Sequence, residues 1–315
     1  MTNEKLKRLA LENGFSRAYV FLPERAPRPE INQLNERVSD DAREIYENTQ
    51  RVIVLLYPYE GFEKDDERPS ISAYYVASNR AYHAAKRVAD EIKKEGYEAF
   101  SNSHIAIKPF LLKMGVGETG RNSLVSVEGL GTRFHAQVIL TDMPMDADKP
   151  GKTRFVSEMC ADCAACVRAC PSGAILMDGK IDIERCLRAR DDGEVVPENL
   201  RKLYKNRILG CDVCQEVCPR NGKMSFSRPD QEFVDHTSLE NLLDGKVKDL
   251  TDMIGRNYAR RERIRLKAIV AAANMNRFDL IGKIREILEN GTEKEKEHAR
   301  WAIERLTENK QDDRE

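Results

Sequence analysis

All eight cysteines of this 315-residue chain fall between Cys160 and Cys218, and they are the residues with the most evident chemistry. Thiols used as small core side chains would be scattered along the sequence. A disulfide framework does not suit a reducing compartment, so metal binding is the first reading. The first run is Cys160-x-x-Cys163-x-x-Cys166-x-x-x-Cys170-Pro171; the second has a detached Cys186, then Cys211-x-x-Cys214-x-x-x-Cys218-Pro219.

The first run has the spacing of bacterial ferredoxins, in which three thiolates on a tight loop hold three corners of a cubane and the fourth points elsewhere. Two cubanes need eight thiolates, the number present. In two-cluster ferredoxins the fourth cysteine of each run ligates the other cluster. Cys160, Cys163, Cys166 and Cys218 are therefore assigned to one 4Fe–4S cluster, and Cys186, Cys211, Cys214 and Cys170 to a second. The competing reading is a pair of tetrahedral zinc sites; it explains the C-x-x-C pairs but not the third C-x-x-C step that ends in Cys-Pro.

The rest of the chain must position these thiols. Its length allows two domains, or three if one is small. Hydrophobic residues make up 41% of it, enough for a packed core. The 52 basic and 53 acidic side chains nearly cancel, so no global field draws nucleic acid or an anionic membrane, and any such partner needs a local patch. The apolar runs Val52 to Tyr57 and Ala268 to Ala273 are far too short to span a bilayer, which excludes a membrane partner from the reading. Met1 to Arg8 is charged and has no signal-peptide core, so a cytoplasmic location is expected.

Residues 1–150 alternate helical and extended patterns, the mark of a layered α/β unit. Leu6, Leu9 and Ala10 before Gly14 fit a short helix, and Ala18 to Leu22 a strand. Pro23 to Pro29 reads as a turn-rich connector and Arg51 to Tyr57 as a buried strand. Ser72 to Glu95 is a long amphipathic helix with an alanine-rich stripe, stopped at Gly96. Thr132 to Thr141 alternates, with Phe134, Ala136, Val138 and Leu140 on one side, which predicts a strand with one buried face. After the cysteine segment, 151–235, the pattern is helical through 236–315. Arg265-Leu-Lys-Ala268-Ile269 returns as Ala299-Arg-Trp-Ala302-Ile303, a period that suggests HEAT-like helical hairpins ending in a frayed tail from Lys310 to Glu315.

Gly115-Val-Gly117-Glu-Thr-Gly120 matches G-x-G-x-x-G. A dinucleotide site would need a strand before it and a helix after it. Here Pro109 to Met114 reads as helix and Ser123 to Val127 as extended, so the run is a glycine turn that lets backbone approach a ligand or another element closely.

The order of these features resembles the epoxyqueuosine reductase family, relatives of the reductive dehalogenases. The resemblance rests on Val52 to Tyr59, Arg80-Ala-Tyr82-His83, Gly115 to Leu124, Gly131 with Ile139 to Pro144, the full cysteine set, Gly210 to Pro219 and Trp301-Ala-Ile303. It implies an α+β/α multi-domain chain: a nitroreductase-like α/β cobalamin domain, a double-cluster ferredoxin domain and C-terminal HEAT-like helices. Electrons would pass through the two 4Fe–4S clusters to the cobalt of a cobalamin, which reduces an epoxide on a modified tRNA base. Tyr82, His83, Gly115, Gly117, Gly120, Arg121, Asn122 and Ser123 become the candidate cofactor contacts. Partners would be a reduced electron donor such as ferredoxin or flavodoxin, and tRNA, met by a monomer.

The chain departs from that pattern where the family carries two acids: Ser101 and Ile107 stand there. Arg121 replaces a lysine, and His135-Ala-Gln137 replaces L-G-E. A changed substrate, small or corrinoid-linked, and a non-catalytic double-cluster electron carrier are the competing functions. Among replacement acids His104, inside the altered segment, comes first, against a structural or surface role. His83 is structural or a cofactor contact, and His135 is solvent-exposed or lines a cavity. The basic stretch Arg256, Arg260, Arg261, Arg263, Arg265 and Lys267 is either a solvated face paired with Glu293 to Glu297 or a tRNA footprint.

Overall fold

A computed structural model describes residues 1–25, 39–101, 104–152, 158–192, 195–222 and 225–312. The expected connector from residue 26 onward, Asn102, Ser103 and the tail from residue 313 lie outside the described residues.

The first half is built around one sheet. Helix α1 (Asn3–Glu12) begins where the Thr2 side chain accepts from the Lys5 amide and ends at Gly14, whose φ of +86° suits glycine. Strand β1 (Arg17–Phe21), a short α2 (Ala42–Ile45) and β2 (Arg51–Pro58) follow, then the two-residue strands β3 (Gly61–Phe62) and β4 (Ser70–Ile71). Helix α3 (Ala73–Lys94) is capped by Ser72, which accepts from the Tyr74 amide. Next come β5 (Ala99–Ser101), α4 (Ile107–Lys113), the short hairpin β6 (Glu118–Thr119) and β7 (Val125–Ser126), and β8 (Phe134–Thr141). The sheet runs β1-β2-β8-β5, with every neighbouring pair antiparallel and Arg51 opposite Thr141 at one end of the central β2–β8 ladder.

Helices cover both faces of that sheet. Ile53, Leu55 and Ile139 meet Leu6 of α1 and Ala81, Ala85 and Val88 of α3, whose small side chains let the helix lie close. Val52, Val54, Val138 and Leu140 meet Phe110 and Leu111 of α4 on the other side. The prediction of a one-sided strand at 132–141 is therefore corrected: β8 starts at Phe134, and from Gln137 to Thr141 it is buried on both faces because α3 closes the second.

The cysteine segment holds little regular structure: α5 (Ala165–Ala169), α6 (Glu198–Tyr204), β9 (Arg207–Leu209), α7 (Val213–Glu216) and β10 (Phe226–Ser227), with short 3-10 turns at Glu158–Cys160, Ala189–Asp192 and Pro219–Asn221. Two parallel ladders tie it to the first half, β4 with β9 and β3 with β10. Backbone pairing thus crosses the division expected near residue 150.

The C-terminal helices are α8 (Gln231–His236), α9 (Leu239–Leu243), α10 (Lys248–Ile254), α11 (Arg261–Asn274), α12 (Ile281–Asn290) and α13 (Glu293–Asp312). Helix α11 is buried nearly all round, since Ile264, Leu266 and Ala268 through Ala273 are all inside. The recurring segments meet there: Ala268 and Ile269 share one core with Ala299 and Ala302. That core also takes in Ile71, Tyr75, Ile208 and Leu209, so the helices are continuous with what precedes them.

Candidate redox site

Folding sorts the eight thiols into two fours. Cys160, Cys163, Cys166 and Cys218 line one small cavity of about 30 Å³, together with Gly120, Arg121 and Asn122. Cys170, Cys186, Cys211 and Cys214 lie in the wall of a second cavity of about 440 Å³. Packing of α5 against α7 carries the last cysteine of each run across to the other set.

The electrostatics of the bare thiols call for a cation. Burial pushes Cys214 up strongly, and the neighbouring Cys211, Asp212 and Cys186 push it further. Burial likewise raises Cys211 to about 11. Cys166 and Cys218 are raised by burial first and by the other thiols of their own set next. Cys170 differs: burial raises it, but hydrogen bonds from Ser172 and from the amides of Ser172, Ala174 and Ile175 together hold it below the ordinary thiol value. Four thiolates gathered in a poorly solvated place are unfavourable unless positive iron sits among them, so the donor set fits iron–sulfur clusters. Among the described residues no three His, Cys, Asp or Glu side chains are drawn together as tightly as a single ion requires.

The glycine turn lies between the two sets, though not as the cofactor cradle expected of it. A Cβ on Gly115 would stand 2.4 Å from the Gly151 carbonyl carbon, and one on Gly117 would stand 2.5 Å from the Ser126 carbonyl oxygen. At both positions the chain's own backbone approaches, which by itself calls for glycine, and neither lines the large cavity. At Gly120 a Cβ would meet Asn122 Oδ1 at 2.9 Å, and Cys160 Sγ is 3.7 Å away. Arg121 is also reassigned: its Nη2 donates to the carbonyls of Cys160 (2.5 Å) and Ala161 (3.2 Å), pinning the first cysteine loop.

Asn122 and Ser123 do reach the large cavity. Asn122 Nδ2 is buried with no hydrogen-bond partner among the described residues, a state that costs about 1–3 kcal/mol unless an acceptor fills it. Ser123 is held at φ +63°, a left-handed conformation seldom adopted by a side chain with a Cβ. Lys108, on α4, donates from Nζ to the Ser123 carbonyl at 2.7 Å and to Ser123 Oγ at 2.6 Å. Desolvation holds its ammonium below the usual lysine range.

The opposite wall is aromatic and cationic. The Arg188 guanidinium lies over the rings of Tyr74 and Tyr75, 5.1 and 5.0 Å from their centroids. His135 Nδ1 is 3.2 Å from Gln137 Nε2, and burial, reinforced by the Arg188 charge, drives its pKa down to about 4. Burial raises Tyr74 to about 12 and Tyr59 higher still. Asp212 accepts from Ser72 Oγ at 2.6 Å and from Gln215 Nε2 at 3.0 Å. Sequence reasoning passed over Tyr59, Tyr74, Lys108, Arg188 and Asp212. The last two carried a signal, since Arg188 follows Cys186 by two residues and Asp212 stands between Cys211 and Cys214.

Other sequence candidates lie elsewhere. His104 is exposed, its carbonyl accepting from the Ser39 amide at 2.8 Å, and it does not line the cavity; the histidine that does is His135. Ile107 stands in the cavity wall, whereas Ser101 ends β5 opposite Ile139, outside the lining. Tyr82 is exposed with its ring beside His83, and His83 lines a separate cleft of about 610 Å³ with Arg80, Arg87 and Arg228. The helical period explains this correction: Ala81, Ala84 and Ala85 face the sheet, which turns residues 82 and 83 outward. The basic stretch is also divided. Arg256, Arg260 and Arg261 are exposed and Arg263 half-exposed, but Arg265 pairs with Glu295 at 3.1 Å and Lys267 is buried over the Tyr204 ring at 5.0 Å. Those last two are therefore removed from any phosphate-facing set.

Comparison with known proteins agrees with this arrangement. Residues 159–221 match the 4Fe-4S double cluster binding domain. The chain is 34% identical over 217 residues to an epoxyqueuosine reductase of Aliivibrio fischeri, a match covering 63% of this chain and 56% of that one, little more than half its length. It is 28% identical over 268 residues to the epoxyqueuosine reductase of Cyclobacterium marinum, covering 75% of this chain and 84% of the relative. Among solved structures, an epoxyqueuosine reductase with a tRNA-Tyr epoxyqueuosine-modified stem loop superposes with a TM-score of 0.76 at 18% identity, over 96% of this chain and 89% of that one. Among the described residues no helix is long and apolar enough to cross a membrane.

Proposed function

We propose that this chain, a homologue of the epoxyqueuosine reductases in sequence and like them in fold, is an iron–sulfur oxidoreductase that reduces an epoxide in the 440 Å³ cavity. The observation that carries the reading is the position of Cys170, Cys186, Cys211 and Cys214: their cluster would form part of the wall of the cavity where the substrate reacts. The Cys160, Cys163, Cys166 and Cys218 thiols would hold one cluster and the Cys170, Cys186, Cys211 and Cys214 thiols the other, and the pair would supply single electrons to the cavity. The donor is a soluble one-electron carrier such as ferredoxin or flavodoxin, and the location is the cytoplasm.

The lining of the cavity suits contact with a cobalamin, the electron acceptor of this reading. Leu111, Leu124, Val125 and Phe134 offer apolar walls, and Asn122 Nδ2 is a donor in need of an acceptor. Bound there, cobalamin would supply two-electron reducing power at cobalt. The protein's share is to hold it with Asn122 and the Ser123 turn, to deliver single electrons through the thiol-bound clusters, and to keep water away with the aromatic wall. The C-terminal helices, read as HEAT-like, would receive a tRNA through the exposed Arg256, Arg260 and Arg261, a role supported by the stem loop held in the structural relative. The working unit is a monomer of three parts, 1–150, 151–235 and 236–315.

The test is anaerobic reconstitution followed by assay on a stem loop carrying epoxyqueuosine. About eight iron and eight sulfide per chain, one cobalamin and conversion to queuosine are expected; zinc in place of iron, or no cobalamin retained, overturns the reading. A second reading, reduction of a different epoxide or related small substrate, is favoured by one observation: the apolar Ile107 stands in the cavity wall. Turnover of other epoxides with the tRNA substrate untouched would select it.

A further inference from the structure

Reductive removal of an epoxide oxygen consumes two electrons and two protons. Both C–O bonds break, a C=C bond forms and the oxygen leaves as water. The electrons come one from each reduced cluster, recharged by the one-electron carrier, but the protons need a separate source. We propose that Lys108 is the acid that protonates the departing oxygen, and that it is reloaded from a second, neighbouring cleft that it also lines. This inference rests on the reductase reading and supplies the proton source that it lacks.

Position is the first argument. Lys108 lines the 440 Å³ cavity and also a neighbouring cleft of about 530 Å³, which it shares with Arg121, Ser123, Glu158, Asp178 and Lys180. A group common to both can take a proton from one and release it in the other. Its two contacts to Ser123 use two of the three ammonium donors, leaving the third for an occupant of the cavity. Both hydrogen bonds of its Nζ go to Ser123 and neither to a carboxylate, so among the described residues no salt bridge holds the proton in place.

Elimination is the second argument. His135 is neutral at physiological pH and has no ring proton of suitable acidity to give. The phenols of Tyr59 and Tyr74 hold their protons more tightly than ordinary tyrosines. Asp212 is engaged by Ser72 and Gln215, and the guanidinium of Arg188 does not deprotonate. Lys108 is shifted in the opposite direction, toward a stronger acid, because it is only partly solvated. Ser123, fixed in its left-handed turn, keeps the ammonium at the boundary between the two cavities.

The experiment compares the cluster- and cobalamin-loaded parent with Lys108→Met and Lys108→Arg in steady-state reduction of the epoxyqueuosine stem loop. A fall in kcat on the order of 10²-fold or more, with KM nearly unchanged and both cluster EPR signals intact, is expected for both variants, since arginine keeps the charge but cannot release the proton. Parent-like kcat in Lys108→Met overturns the proposal. A second measurement does not depend on the substrate: NMR titration of ¹³C-dimethylated lysines in the same protein. One resonance titrating below the others and missing in Lys108→Met is expected. If it is found while the parent fails on the stem loop, the substrate reading fails and the proton assignment stands; if no lysine titrates low, the assignment fails whatever the substrate.

Discussion

The imidazole of His135 lies 5.3 Å from the ring of Tyr74, tilted by 39°, inside the wall of the 440 Å³ cavity. Buried there beside Arg188, it stays neutral, with a pKa near 4 against 6.5 in an unfolded chain. Between those values the unfolded state binds more protons, so stability falls as pH drops from 6.5 toward 4. The full effect is about 3 kcal/mol at most. His298 acts in the same direction: it is held neutral by burial, accepts from the Val196 amide at 3.1 Å, and is lowered as well. Denaturation midpoints between pH 4.5 and 7.5 should rise with pH in the parent and less steeply in His135→Gln; equal slopes would contradict a buried neutral imidazole.

Cluster ownership gives a second prediction. Cys218 closes the second sequence run but faces the first set, whereas Cys170 closes the first run and faces the second set. Cys218→Ser should therefore remove the cluster of Cys160, and Cys170→Ser the cluster beside the cavity. Each variant should retain about half the iron, with different EPR signals surviving. Loss of the same signal in both would mean that each run binds its own cluster.

Substitution of the glycines should be a matter of stability rather than of cofactor. Gly117→Ala places a methyl against the Ser126 carbonyl and should lower stability by roughly 1–3 kcal/mol. A fall in Tm with cobalamin affinity preserved in the folded fraction is the expected result. Selective loss of cobalamin at unchanged Tm would restore the cradle reading.

The divided basic stretch separates binding from folding. Arg260→Glu with Arg261→Glu should weaken association with the stem loop and flatten its salt dependence, leaving Tm near that of the parent. Lys267→Met should leave the salt dependence unchanged and lower stability by about 1–2 kcal/mol through loss of the contact with Tyr204. Filter binding across a salt series, with thermal melts of the same samples, distinguishes the two.

What could be read from sequence followed from local rules. The spacing of thiols, the alanine stripe of α3 and the run from Val52 to Leu56 each state their surroundings within a few residues. The contents of the cavity do not: Tyr59, Lys108, His135, Arg188 and Asp212 are brought together by separate segments, and no spacing links them. His104 stands in an altered segment, but the backbone there bridges Ser39 to Ile105 and leaves the His104 side chain at the surface. The reason for Gly117 was hidden in the same way, because the atom that forbids a side chain there belongs to Ser126 across a hairpin.

The parallel ladders that join β4 to β9 and β3 to β10 have a consequence for synthesis of the chain. Strands at residues 61–71 wait for partners at 207–227, and Ser72, which caps the longest helix, also bonds Asp212. As the chain leaves the ribosome, its first half has its sheet by residue 141 but cannot cover Ile71 and Tyr75 until both cysteine runs have emerged. A nascent chain stalled before that point presents bare strand edges to the cell, so iron–sulfur delivery and protection from aggregation fall in the same interval of translation.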